Sequence, residues 1–151
     1  MREFKIYYDR TQAAALKSLS GDKELPLFQN QAEALCFCSN YGFENNKKKK
    51  VPKDNAVEVA SSAVEKYSEH IYSIALLEKK DPTILGDTSE CCKIFQEYAN
   101  GGLHAISKIL ERNRPNDPKG VETLLGIIIK MRSKLSDLPD EDLEVLLPES
   151  D

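Results

Sequence analysis

The chain has 151 residues, 40% hydrophobic and 30% charged, with a net charge of -4 and no Trp. That length supports one compact domain with a real core, without disulfide or metal staples. No apolar run approaches the ~18 residues of a membrane-spanning helix, and the acidic average argues against a dedicated nucleic-acid binder.

In chain order, residues 3–8 alternate enough for a short strand or an extended lead-in. Asp9 or Thr11 can cap a helix through Ala13, Leu16 and Leu19 that ends near Gly21, and Pro26 sits in a loop. Asn30, followed three residues later by Glu33, reads as a capping-box variant that opens a helix through Ala34, Leu35, Phe37, Cys38 and Tyr41, with Gly42 just past its end. The polar run Glu44–Lys50, closed by Val51 and Pro52, is a loop or a frayed element, because four adjacent lysines repel and offer nothing to a core. Val64, Tyr67, Ile71, Ile74 and Ala75 predict a helix from about Ser61 to Lys79. The alternation from Asn55 onward leaves room for a brief strand before it.

Asp81-Pro82 restarts the chain, and Asp87, Thr88 or Ser89 caps a helix carrying Cys91, Ile94, Phe95, Tyr98 and Ala99. Asn100-Gly101-Gly102 is expected to break it. Another helix through Leu103, Ile106, Ile109 and Leu110 ends before Pro115, and the turn Asn116-Asp117-Pro118 leads to a last helix holding Val121, Leu124, Leu125, Ile128, Met131 and Leu135. Ile127 and Ile129 widen its apolar surface beyond one stripe, so it is either a central helix of the bundle or one that also makes a subunit contact. The expected fold is all-α: a single-domain multi-helix bundle over residues 1–135, with a basic loop at 44–53 and room for a short N-terminal strand. An acidic tail follows at 136–151, with seven acids, no basic residue and interspersed leucines. It is a solvated end or a peptide that docks on a groove.

Charge is unevenly placed. Residues 1–53 carry +4 and residues 54–151 carry -8. A basic front joined to an acidic back suggests an interaction surface. The standout feature is Lys47, Lys48, Lys49, Lys50 and Lys53, preceded by Tyr41 and Phe43. A polybasic loop beside aromatics can engage DNA phosphates by charge and unpaired bases by stacking. The plainer reading is a solvated loop. A third is that the loop meets the acidic tail of its own chain or of a neighbouring subunit.

Cys36/Cys38 and Cys91/Cys92 do not form a secreted disulfide framework. With no continuous apolar stretch among Met1, Arg2, Glu3, Phe4 and Lys5, the expected setting is the cytoplasm, without a secretory signal. Cysteines one residue apart on a helix diverge by about 200°, so shared ligation of a metal is not expected. Nothing in the sequence sets His70 or His104 beside a thiol, and Gly101-Gly102 lacks the Lys that a phosphate-binding loop needs. No catalytic residue, metal or cofactor is therefore assigned, and the expected protein is not an enzyme.

Two stretches together resemble a known family. One is Ala34-Leu35-Cys36-Phe37-Cys38-Ser39-Asn40-Tyr41-Gly42-Phe43, with the basic run and Val51-Pro52 after it. The other runs from Ile74-Ala75-Leu76 through Asp81-Pro82-Thr83-Ile84-Leu85 to Ile94-Phe95-Gln96-Glu97-Tyr98-Ala99-Asn100-Gly101-Gly102-Leu103. Over residues 1–112 the chain is similar to small proteins encoded with bacterial DNA phosphorothioation (Dnd) systems, the Dnd-system-associated protein 4 family. Glu97–Leu103 is the most specific part. The resemblance implies a role beside sulfur modification of the DNA backbone, or the restriction that depends on it, in phage defence. It carries no catalytic residues over. The basic run departs from the Arg-rich stretch expected there, and Lys makes point-charge contacts where Arg grips a phosphate bidentately. Partners implied are the DNA backbone, proteins of the same system, or a second copy of the chain. The other functional class is a protein–protein adaptor or oligomerisation module with no DNA contact.

Overall fold

The computed structural model describes residues 4–20 and 27–136. The expected stop at Gly21, the Pro26 loop and the acidic tail beyond Ser136 lie outside the described residues. The chain is mostly helical with a short strand near its N-terminus, as expected. Its contacts divide it into two compact units, 1–109 and 110–151.

In the first unit Phe4, Ile6 and Tyr8 are buried while Lys5 between them is exposed, the period-2 pattern of a strand with one covered face. β1 (Tyr7–Asp9) pairs antiparallel with β2 (Ala56–Glu58), Tyr8 lying opposite Val57. The amide of Val59 donates to the Ile6 carbonyl at 2.9 Å and extends the pairing. Asp9 then accepts from the Thr11 amide at 3.0 Å and turns the chain through a 3-10 turn into α1 (Ala13–Ser20), which buries Leu16 and Leu19. The Asn30 side chain accepts from the Glu33 amide at 2.8 Å and starts α2 (Gln31–Glu44) where the spacing predicts.

The expected helix at Ser61–Lys79 is two: α3 (Ser61–Glu65) and α4 (Ser68–Lys79). Between them the Tyr67 amide donates to the Val64 carbonyl and the His70 amide to the Tyr67 carbonyl, a tightened i, i+3 turn. No glycine or proline marks this joint, so the apolar spacing runs straight through it. α5 (Thr88–Asn113) starts where Asp87 accepts from the Glu90 amide at 3.1 Å.

Two expected helix stops are absent. Gly42 lies inside α2, and the left-handed residue that ends this region is Asn46, with φ 53°. Asn100-Gly101-Gly102 lies in the middle of α5, which runs unbroken for 26 residues. These glycines serve close approach between segments. A Cβ on Gly102 would lie 1.8 Å from the Cys38 carbonyl oxygen, and one on Gly42 would lie 2.2 Å from the Tyr98 carbonyl oxygen. α2 can cross α5 at this spacing only where both helices lack side chains.

The core of the first unit centres on Ile6, Leu16, Leu19, Leu35, Ile71, Leu103 and Ile106, all essentially inaccessible. In the second unit Asp117 Oδ2 accepts from the Thr123 amide at 2.7 Å and its hydroxyl at 2.8 Å, and Gly120 takes φ 76° to begin α6 (Val121–Ser136). Leu124 and Ile127 are buried, but Leu125 is 54% exposed and Ile129 59%. The apolar surface of α6 is thus covered at Leu124 and Ile127 and open at Leu125 and Ile129. No helix among the described residues is long and apolar enough to cross a membrane.

Candidate nucleic-acid interface

The basic run has no regular secondary structure, yet it is not a free loop. From Asn46 it lies extended along α5 in the direction opposite to the helix, as a strap held by its backbone. The Lys47 amide donates to the Gly42 carbonyl at 2.7 Å and the Lys49 amide to the Glu97 carbonyl at 3.0 Å. Asn100, only 1% exposed, donates its side-chain amide to the carbonyls of Lys49 and Lys50 at 3.3 and 3.4 Å. Gly101 supplies the room: a Cβ there would lie 1.9 Å from the Lys47 carbonyl oxygen. Lysine side chains give nothing to a core, but the lysine backbone fills the groove that the glycines open. Every residue from Glu97 to Leu103 is buried. This string is therefore the seat of the strap rather than a helix–helix corner.

The lysines divide by role. Lys48 turns back onto the protein, its Nζ 3.2 Å from Glu78 Oε1, 3.7 Å from Glu97 Oε2 and 5.4 Å above the centre of the Tyr98 ring. The Tyr98 hydroxyl donates to the other oxygen of Glu78. That hydrogen bond, with Lys48, holds the Glu78 carboxyl below the usual range against the opposing effect of burial. Burial, with Glu78 and Glu97 nearby, pushes the Tyr98 phenol up to about 12. A carboxylate–lysine–aromatic cluster thus clamps the middle of the strap. Lys48 thus finds its acids on α4 and α5.

Lys49 reaches His104, its Nζ 3.5 Å from Nδ1, while Nε2 lies 3.2 Å from Asp9 Oδ2. Burial and the Lys49 charge lower the His104 pKa and outweigh the attraction of Asp9. The ring is then neutral, donates from Nε2 to Asp9, and presents Nδ1 to the Lys49 ammonium. Burial raises the Asp9 carboxyl, but the Thr11 amide, the Thr11 hydroxyl and His104 bring it below its ordinary value. A chain of contacts therefore ties the strap to the end of β1.

Lys47, Lys50 and Lys53 are exposed. Of the predicted aromatics, Phe43 packs edge-on against Tyr98 with ring centres 5.4 Å apart, and Tyr41 is half-buried near the end of α2. Phe43 thus takes part in seating the strap. Spacing alone did not single out Glu78, Glu97 or Asn100, which position it; the Glu97–Leu103 string was the available signal.

The four cysteines and Ser39 are sequestered. All four cysteines are free and buried, and burial pushes the Cys36 and Cys38 thiols up to about 12. Ser39 lies 3.0 Å from His70 Nε2, but its hydroxyl donates to the Cys36 carbonyl at 2.7 Å, so the histidine donates to the serine and does not activate it. Burial also lowers the His70 pKa. Among the described residues no three His, Cys, Asp or Glu side chains come together as a metal site.

Residues 5–146 match the family described as DNA sulphur modification system-associated protein 4. The chain belongs to that family. The match extends past residue 112, where the resemblance ended, through α6 and into the acidic segment, so membership covers both compact units. No curated protein and no solved structure matches the chain. By that description the family is associated with a DNA sulphur modification system. Both halves of the resemblance, the Gly42 segment with its basic run and the Glu97–Leu103 string, meet at one place in the fold.

Proposed function

We propose that this family member is a non-enzymatic accessory protein of a bacterial DNA phosphorothioation-linked modification or restriction system, acting in phage defence and retaining DNA through its lysine strap. The observation that carries this reading is the seating of the strap. Its backbone is consumed by Gly42, Glu97 and Asn100, while Lys47, Lys50 and Lys53 remain exposed. Held lysines engage phosphates with less ordering cost than lysines on a free loop. Their ammonium groups act as point charges, and a phosphorothioate keeps the negative charge of the phosphate. The reading is therefore retention by the DNA backbone, not recognition of sulfur. High-pKa buried thiols and a serine whose proton is already donated support a role without covalent catalysis. Reduced, buried cysteines also fit a cytoplasmic setting.

The test is gel retardation of a short DNA duplex at low salt. The K47E/K50E/K53E variant spares Lys48 and Lys49, whose contacts hold the strap, and is expected to lose retardation while staying folded. Retardation equal to the unsubstituted protein would refute the DNA role.

A second reading, a protein–protein adaptor or oligomerisation module, is favoured by the exposed apolar side of α6, with Val121, Leu125, Ile128 and Ile129. It predicts a mass above that of one chain by light scattering, reduced to one chain by L125E/I129E. A single-chain mass for the unsubstituted protein would count against self-association.

A further inference from the structure

The second unit, 110–151, changes sign at the end of α6. Residues 110–136 hold six Lys/Arg against three Asp/Glu, whereas residues 137–151 hold seven acids and no base. On α6 the exposed residues Val121, Leu125, Ile128 and Ile129 recur at spacings of four, three and one, the stripe of a helix with a second apolar face. Lys130 and Arg132, both exposed, lie at the C-terminal end of that stripe, Arg132 one turn on from Ile128 and Ile129.

The segment that follows Ser136 has the complementary composition. Leu143, Leu146 and Leu147 stand at i, i+3 and i+4, the spacing of one apolar helical face. Pro139 with Asp140, Glu141 and Asp142 is the sequence of a helix start, and Pro148 is a stop. Reach and tether agree. The rise of α6 from Ile128 to Ser136 is about 12 Å, and nine residues over 139–147 span about 13 Å as a helix. Antiparallel helices are joined by connections of about 2–5 residues. A segment tethered this closely meets its site at an effective concentration on the order of mM, which a second copy reaches only in mM solutions. Two copies meeting on this stripe would also bring together surfaces that each carry Lys130 and Arg132, whereas the tail brings the opposite sign.

We infer that residues 138–147 fold back antiparallel on α6 and cover its open stripe, with Leu143, Leu146 and Leu147 against Ile128 and Ile129 and the acids beside Lys130 and Arg132. Burial of the leucines supplies the attraction, and the surface charges, worth little singly, set the direction. This contact is independent of DNA retention. It gives to the chain's own tail the face that the adaptor reading gives to another molecule, and it keeps the tail's carboxylates off the strap lysines.

The experiment is NMR of the full chain labelled at Leu and Ile methyl groups. Cross-peaks are expected between the Leu146 and Leu147 methyls and those of Ile128 and Ile129. In the full-length L146E/L147E variant the Ile128 and Ile129 methyls should shift, while Leu16, Leu35 and Leu103 in the first unit keep their positions and so report an intact fold. A filtered experiment on mixed labelled and unlabelled chains should show no cross-peaks between different chains. Absence of the tail cross-peaks, with Ile128 and Ile129 unmoved in L146E/L147E, would overturn the inference. So would cross-peaks that arise only between chains, which would assign the stripe to a second copy. Neither result touches the gel-retardation test of the strap.

Discussion

Gly101 and Gly102 permit two backbones to touch α5 on adjacent positions, one from the strap and one from α2. Both neighbours are main-chain oxygens, which cannot swing aside as a side chain tip can. Gly101→Ala is accordingly expected to destabilise the protein by about 1–3 kcal/mol or more, the range for overpacking a fitted interior. Gly126, on α6, offers the control, because a Cβ there meets nothing within 4 Å. Gly126→Ala should stabilise by about 1 kcal/mol, the difference in helix propensity. Urea unfolding of the two variants checks both signs, and equal small effects would show that the close approaches at Gly101 are not made. The Lys48 clamp is a different matter. Its ammonium is well exposed, and exposed ion pairs contribute little stability. Its value lies in the direction it gives the strap.

At the scale of elements, α5 organises the first unit by presenting one face to α2 and the strap. Its continuity through Asn100, Gly101 and Gly102 predicts that the amides of Leu103 and His104 exchange slowly with solvent, as in a helix interior. Hydrogen exchange read by NMR checks this; fast exchange at those amides would restore the expected break between two helices. The same helix shows what was legible in sequence. Local signals hold where the physics is local: Asn30 with Glu33, Asp9 with Thr11, and Asp87 before Glu90 all cap the turns that their spacing predicts. Gly42 and Gly101-Gly102 depart from their local signal because glycine's common local use is to end a helix, whereas here it admits a backbone distant in sequence. The joint at Lys66-Tyr67 left no residue signal at all. For the candidate site, the lysine run was visible as composition and Glu97–Leu103 as a motif. That the second seats the first depends on a contact some 50 residues apart in the chain, between Asn100 and Lys49.

For the whole molecule, the net charge of -4 conceals how the charges are used. Part of the basic front is engaged internally, with Lys48 on Glu78 and Glu97 and Lys49 on His104. Along the strap Lys47, Lys50 and Lys53 remain outward on a hydrogen-bonded seat, which on the proposed reading suits a backbone of regularly spaced negative charges. On the proposed reading the acidic average limits non-specific retention, and binding of this kind would be modest and sensitive to salt. On the proposed reading seated lysines, and not the overall charge, hold DNA. The most direct test is the salt dependence of duplex affinity between about 50 and 200 mM, measured for the unsubstituted protein and for K47E/K50E. Log K is predicted to fall linearly with log salt, with the K47E/K50E slope shallower by about 2 and its binding weaker throughout. An affinity indifferent to salt, or a K47E/K50E line that superimposes on the first, would contradict it.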